Sequence, residues 1–180
     1  MIHDDSQSRP KAPLIDIDSF NCPSGGDSFF YKTSDGVNLR IAIWNETSSK
    51  GTILLQSGRT EFIEKYYEVI QEFVNRGFCV ALMDWRGQGL SDRVAKDIRI
   101  GHVDNFSDYD SDFEEVIRKV YQDSCPKPWI AVGHSMGGCL VASSAAKNTD
   151  LFDAIILCAP MLTLQMPNLI KKLIHVLGFM

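Results

Sequence analysis

The stretch Gly133-His134-Ser135-Met136-Gly137-Gly138 constrains this chain more than any other. It follows the apolar run 129–132 and precedes the small residues of 139–146. That order reads as strand, sharp turn and helix, with a serine at the apex. A serine so placed is expected at φ above zero, a strained conformation that lifts its hydroxyl clear of the sheet. Glycines two positions to either side remove side chains that would collide across so tight a turn. A helix starting at Met136 would aim its unpaired N–H groups and positive dipole end at the serine, where a developing oxyanion could be held. The bland alternative is a glycine-rich turn that closes a strand and does nothing more.

The rest of the chain builds a sheet around that turn. Residues 1–26 read as an extended arm ending in the flexible Pro23-Ser24-Gly25-Gly26. Segments 28–32 and 38–44 alternate in polarity across Ser34-Asp35-Gly36, a strong hairpin signal. Residues 52–55 read as a buried strand. A helix is expected from Thr60, as N-cap, to Asn75, with Phe62, Ile63, Tyr66, Tyr67, Ile70, Phe73 and Val74 on its apolar face and Gly77 closing it. The apolar run 78–83 is a strand covered on both faces. A second helix spans about 106–122, and its acidic string Asp108, Asp110 and Asp112 reads as a solvated face. As a calcium loop that string would need glycine and glutamate where Phe113 and Lys119 stand. A last strand covers 154–159. Strand and helix alternate three times from Thr52, the pattern of a parallel sheet with helices on both faces.

Composition narrows the function. With 180 residues the chain is one domain, and 44% apolar residues can fill its core. A net charge of −5 without a basic cluster argues against nucleic acid. Five scattered cysteines (Cys22, Cys79, Cys125, Cys139, Cys158) lack any metal-ligand spacing and read as reduced, buried thiols of a cytoplasmic protein. Gly87-x-Gly89 lacks the third glycine of a dinucleotide loop, since Asp92 stands there.

Three blocks now combine: Ser57-Gly58-Arg59-Thr60-Glu61, Asp84-Trp85-Arg86-Gly87-Gln88-Gly89-Leu90-Ser91, and the serine turn at 133–138. In order and spacing they resemble the α/β-hydrolase superfamily, in its branch of lysophospholipases and monoacylglycerol lipases, over about 29–160. Ser57 stands where that branch more often has histidine. The resemblance implies an α/β fold: a mostly parallel sheet with an amino-terminal antiparallel hairpin, ending after the sixth strand. It implies Ser135 as acyl-accepting nucleophile, with the backbone N–H groups of Met136 and Arg59 as the oxyanion hole. The Arg59 side chain could also attract an anionic head group; a surface arginine beside a helix start is the equal alternative. Such an enzyme needs neither metal nor organic cofactor, and acts on a small-molecule ester or monoacyl lipid.

The triad order Ser, acid, His places acid and base well downstream of Ser135. His3, His102, His134 (read as buried beneath the turn) and His175 fit poorly as base, and Asp150 and Asp153 precede the last strand. Both partners are therefore expected beyond Met180. On this reading 27–160 form an incomplete hydrolase core. Residues 161–180 begin a cap helix, whose apolar face at 169–180 could touch a membrane surface transiently. A serine aminopeptidase of the same fold, or an inactive fragment, are the alternatives.

Overall fold

The computed structural model describes residues 9–18, 20–97 and 99–163. Six strands form one sheet in the order β1-β2-β4-β3-β5-β6. β1 (Gly26–Lys32) and β2 (Asn38–Trp44) are the expected hairpin, turning through Gly36 at φ 91°. β2 runs antiparallel to β4 (Cys79–Met83). β3 (Thr52–Gln56), β4, β5 (Trp129–His134) and β6 (Ala154–Cys158) are parallel to one another.

Apolar residues alternate between the two faces of this sheet. Leu39, Ile41, Ile43, Leu54, Cys79, Ala81 and Met83 point into one core, with α2 (Ser107–Val116) and α4 (Met136–Lys147) packed over it. Ala42, Trp44, Ile53, Leu55, Val80 and Leu82 point into the other, covered by Ile63, Tyr67 and Ile70 from a 3₁₀ turn (Ile63–Tyr66) and α1 (Tyr67–Asn75). Leu14, Ile17 and Phe20 of the amino-terminal segment also pack there. Two covered faces explain why the central strands are continuous apolar runs.

The connections decide where a site can lie. From β3 the chain crosses through α1 to β4 on one side, then through α2 to β5 on the other. Right-handed crossovers in opposite directions put α1 on one face and α2 and α4 on the other. The carboxyl ends of β3 and β5 therefore flank the point where strand order reverses, and ligands of open α/β sheets bind in such a crevice.

Several local expectations are corrected. Thr60 is no N-cap: it has φ 62°, and regular helix begins only at Ile63, whose N–H is accepted by Asp84 Oδ1 at 2.9 Å. A side chain from the end of a distant strand thus supplies the cap. The helix over 106–122 changes pitch, passing from α2 into a π-helical stretch, Ile117–Tyr121, and a final turn, α3 (Gln122–Ser124). Its acidic string is not uniformly solvated. Asp112 is buried and takes two hydrogen bonds from Arg86, at 2.6 and 2.5 Å, and Asp110 lies 3.4 Å from Lys147 Nζ. All five cysteines are free, but only Cys79 and Cys125 are buried; Cys22 and Cys139 are half-buried, and Cys158 is exposed on the outermost strand.

Candidate active site

Ser135 stands where the sequence places it, directly after β5 and before α4, at φ 51° and ψ −113°. A non-glycine residue held there costs about 1–3 kcal/mol, so its surroundings must over-determine it. They do so through the main chain. The Ser135 N–H donates to Cys158 O at 3.0 Å, and its carbonyl accepts from Met161 N–H at 2.9 Å and Cys139 N–H at 3.2 Å. The flanking glycines serve close approach. A Cβ at Gly133 would lie 2.6 Å from Gly138 Cα, and one at Gly137 would lie 2.3 Å from Gln56 O. The hydroxyl itself makes no hydrogen bond among the described residues, and Ser135 is half-buried.

The register of β3 on β5 brings a second segment to the same height. Gln56 pairs with Gly133, so Gly58 comes level with Ser135. A Cβ on Gly58 would stand 3.2 Å from Ser135 Cβ. Here the chain leaves β3 without regular structure, and its N–H groups find side-chain partners. Gly58 N–H donates to Glu61 Oε2 at 2.7 Å, and Thr60 N–H donates to Gln88 Oε1. Between them, the Arg59 N–H donates to no acceptor among the described residues. The Arg59 side chain is exposed and reaches Gly101 O at 3.3 Å.

Glu61 is the electrostatic centre of this end of the sheet. Its Oε2 accepts from Gly58 N–H, from Tyr66 O–H at 2.5 Å, and lies 3.1 Å from His134 Nδ1. Burial opposes ionisation, but the bonds from Tyr66, Gly58 and His134 outweigh it and hold the carboxyl at about 2. The folded value thus lies below the ordinary 4.5 of a free glutamate. Ionised Glu61 therefore contributes stability above about pH 4.5, and that contribution is lost as pH falls toward 2. Glu61→Gln should melt below the wild type at neutral pH, the gap closing between pH 5 and 2. Thermal melts across that range would show it; a gap independent of pH would contradict it.

His134 is not buried beneath the turn as expected. It is half-exposed, with 46% of its side chain accessible, and its Nδ1 faces Glu61. The chain bends sharply at 135, so the preceding side chain emerges at the sheet end. His102 is also exposed, with Nε2 3.0 Å from Asp104. Asp153 accepts from Trp129 N–H at the opposite end of β5, about 20 Å from Ser135 at ~3.3 Å per residue. His3, His175 and the apolar face at 169–180 lie outside the described residues.

The glycine-punctuated loop after β4 braces the segment after β3. Trp85 Nε1 donates to Ser57 O at 2.9 Å, and Gln88 takes Thr60 N–H. Gly89, at φ 51°, lets the main chain close over Asp84, whose Oδ2 would lie 2.0 Å from a Cβ there. A cleft of about 420 Å³ opens beside this loop, walled by Phe62, Leu90, Arg93, Thr60 and Gln88. Ser135 is not among its walls, so the cleft is a neighbour of the serine rather than its pocket. These braces were not legible in the sequence, because each joins residues more than twenty positions apart.

A parallel sheet with a strained serine between strand and helix, at the point where strand order reverses, defines the α/β-hydrolase fold. A thermostable carboxyl esterase from Bacillus coagulans superposes at TM-score 0.67 and 23% identity, over 87% of this chain and 50% of that one. The thioesterase domain from the curacin biosynthetic pathway does so at 0.66 and 20%, over 86% and 53%. Residues 47–179 match the family described as serine aminopeptidase, S33, and the chain belongs to that family. Lysophospholipase L2 of Escherichia coli strain K12 is 31% identical over 143 residues, 77% of this chain and 41% of that protein. Monoacylglycerol lipase of Mycolicibacterium smegmatis is 30% identical over 128 residues, 69% and 43%. The chain thus spans less than half the length of these relatives. Among the described residues no helix is long and apolar enough to cross a membrane.

Proposed function

We propose that the protein is a serine ester hydrolase working through an acyl-enzyme at Ser135, with a monoacyl lipid as substrate. The observation that carries this is the pairing of two features at one height. The strained serine heads a helix, and in the segment level with it the Arg59 N–H has no acceptor among the described residues. In the reaction Ser135 Oγ attacks the ester carbonyl while its proton passes to a base. The carbonyl oxygen becomes anionic and is held by the main-chain N–H groups of Met136 and Arg59. Collapse expels the alcohol, which takes the proton back, and water then cleaves the acyl-enzyme. Because the two oxyanion donors are main-chain groups, their side chains are free to vary. Losing one such donor typically costs ~3 kcal/mol of transition-state stabilisation.

The base and its acid are proposed to come from outside residues 1–180, since no imidazole among the described residues hydrogen-bonds the Ser135 hydroxyl; His134 and His102 pair with Glu61 and Asp104 instead. The relatives named lysophospholipase and monoacylglycerol lipase favour a monoacyl lipid. The family description favours an amide as the second substrate class, since the same serine can attack either. The test is turnover of a lysophospholipid, a monoacylglycerol and an aminoacyl-4-nitroanilide by the full-length protein. Ester cleavage at least a hundred-fold faster than amide cleavage is expected. The reverse preference would transfer the assignment to the peptidase reading.

A further inference from the structure

The segment 57–61 has no regular secondary structure, yet an oxyanion donor must be fixed to within a few tenths of an ångström. Two side chains supply the fixing. Glu61 Oε2 takes the Gly58 N–H, and Gln88 Oε1 takes the Thr60 N–H. The peptide carrying the Arg59 N–H lies between these two anchored peptides. With both neighbours held, it can be redirected only by rotation about ψ of Gly58 and φ of Arg59.

Each anchor is itself held. Glu61 is gripped by Tyr66 from the turn leading into α1 and by His134 from the end of β5, so it joins the loop to the strand that carries the serine. Gln88 is only 4% exposed, and its loop is tied down by Asp84, which accepts from Leu90 N–H at 2.8 Å, and by Trp85 on Ser57. The Thr60 N–H fixes the Gln88 amide orientation, because a flipped amide would set donor against donor. Its Nε2 then has no partner among the described residues, a burial cost that stability alone would not select. Thr60 itself sits at φ 62°, unfavourable for a β-branched residue, and the Gln88 bond holds it there.

We infer that Glu61 and Gln88 are positioning residues that clamp the two peptides flanking Arg59 and so aim its N–H at the oxyanion formed on Ser135. This rests on the nucleophile reading above. Neither residue touches the reacting atoms; both act through the loop.

Gln88→Met keeps the volume and removes the acceptor, whereas Gln88→Glu keeps an acceptor on Thr60. Glu61→Ala and Glu61→Gln form the corresponding pair. With a p-nitrophenyl ester and the full-length protein, Gln88→Met and Glu61→Ala should each lose about 10–100-fold in kcat with KM nearly unchanged. That is the signature of an interaction made only in the transition state, and a misplacement of about 1 Å can cost that much. Gln88→Glu and Glu61→Gln should recover at least half of the lost decades. The rate of fluorophosphonate labelling at Ser135 should follow kcat.

Wild-type kcat in folded Gln88→Met and Glu61→Ala would overturn the inference. So would a loss confined to KM, or conservative variants no better than the disruptive ones. Should Glu61→Ala not fold, the Gln88 pair decides alone. Ser135→Ala assayed alongside separates the two claims: activity surviving that change sinks the nucleophile reading, whereas activity abolished there but intact in both clamp variants sinks only the clamp.

Discussion

Replacing Ser135 by alanine is expected to lower ester turnover by on the order of a million-fold, with little change in stability. The size follows from the role proposed for the hydroxyl. Without it there is no acyl-enzyme, and only binding and the oxyanion donors remain, which on their own still accelerate ester cleavage somewhat over water. The unchanged stability follows from the bonding. The turn is tied through the Ser135 N–H and carbonyl to Cys158, Met161 and Cys139, and the hydroxyl bonds to nothing described. Alanine meets the same cost of φ 51° and keeps those ties. Turnover, thermal melting and fluorophosphonate stoichiometry on wild type and variant together make the check. More than a tenth of wild-type activity in a folded variant would remove Ser135 from the role.

How much of this could be read beforehand depended on sequence distance. The serine turn was legible because its demands are local: strand, glycine, serine, glycine and helix lie within about twenty residues, and both φ and the glycine contacts follow from that spacing. The mostly parallel sheet with an antiparallel hairpin at one edge followed from alternation and connection rules that act between neighbours, whereas the order of its strands came only with the structure. The helix start at Ile63 was not legible, because its cap is Asp84, twenty-one residues on in another element. Likewise Asp112 looks like one of three equivalent surface acids until Arg86 is folded against it. His134 was misread for a related reason: its place at the end of an apolar strand beneath the turn suggested burial, whereas the partner it faces, Glu61, lies seventy-three residues earlier in the chain.

The site's rigidity traces to one buried cation, and its removal carries the largest stability effect expected. Arg40, in the centre of β2, is fully buried. Its Nε donates to Asp84 Oδ2 at 2.7 Å, and its two terminal nitrogens reach Glu64 Oε1 and Oε2 at 2.6 and 2.7 Å. One of them also reaches Pro13 O at 3.0 Å, tying in the amino-terminal segment. Asp84 in turn caps Ile63 and holds the Leu90 N–H. The guanidinium therefore compensates two buried carboxylates that organise both the start of α1 and the loop carrying Gln88.

Arg40→Met keeps most of the volume but strands those acids. Breaking a buried pair from one side costs about 3–5 kcal/mol, because the remaining charge is desolvated and uncompensated. For a chain of this size that lowers the melting temperature by roughly 6–20 °C. Arg40→Met combined with Glu64→Leu should recover part of the loss, since one of the stranded charges is then gone. Arg99→Ala, which breaks only the exposed pair with Asp97, should leave the midpoint where it is. Urea unfolding of the three variants decides the matter. An Arg40→Met protein within about 1 kcal/mol of wild type would mean that the acids are accommodated without their cation, and that the loops at the serine are held by the sheet alone.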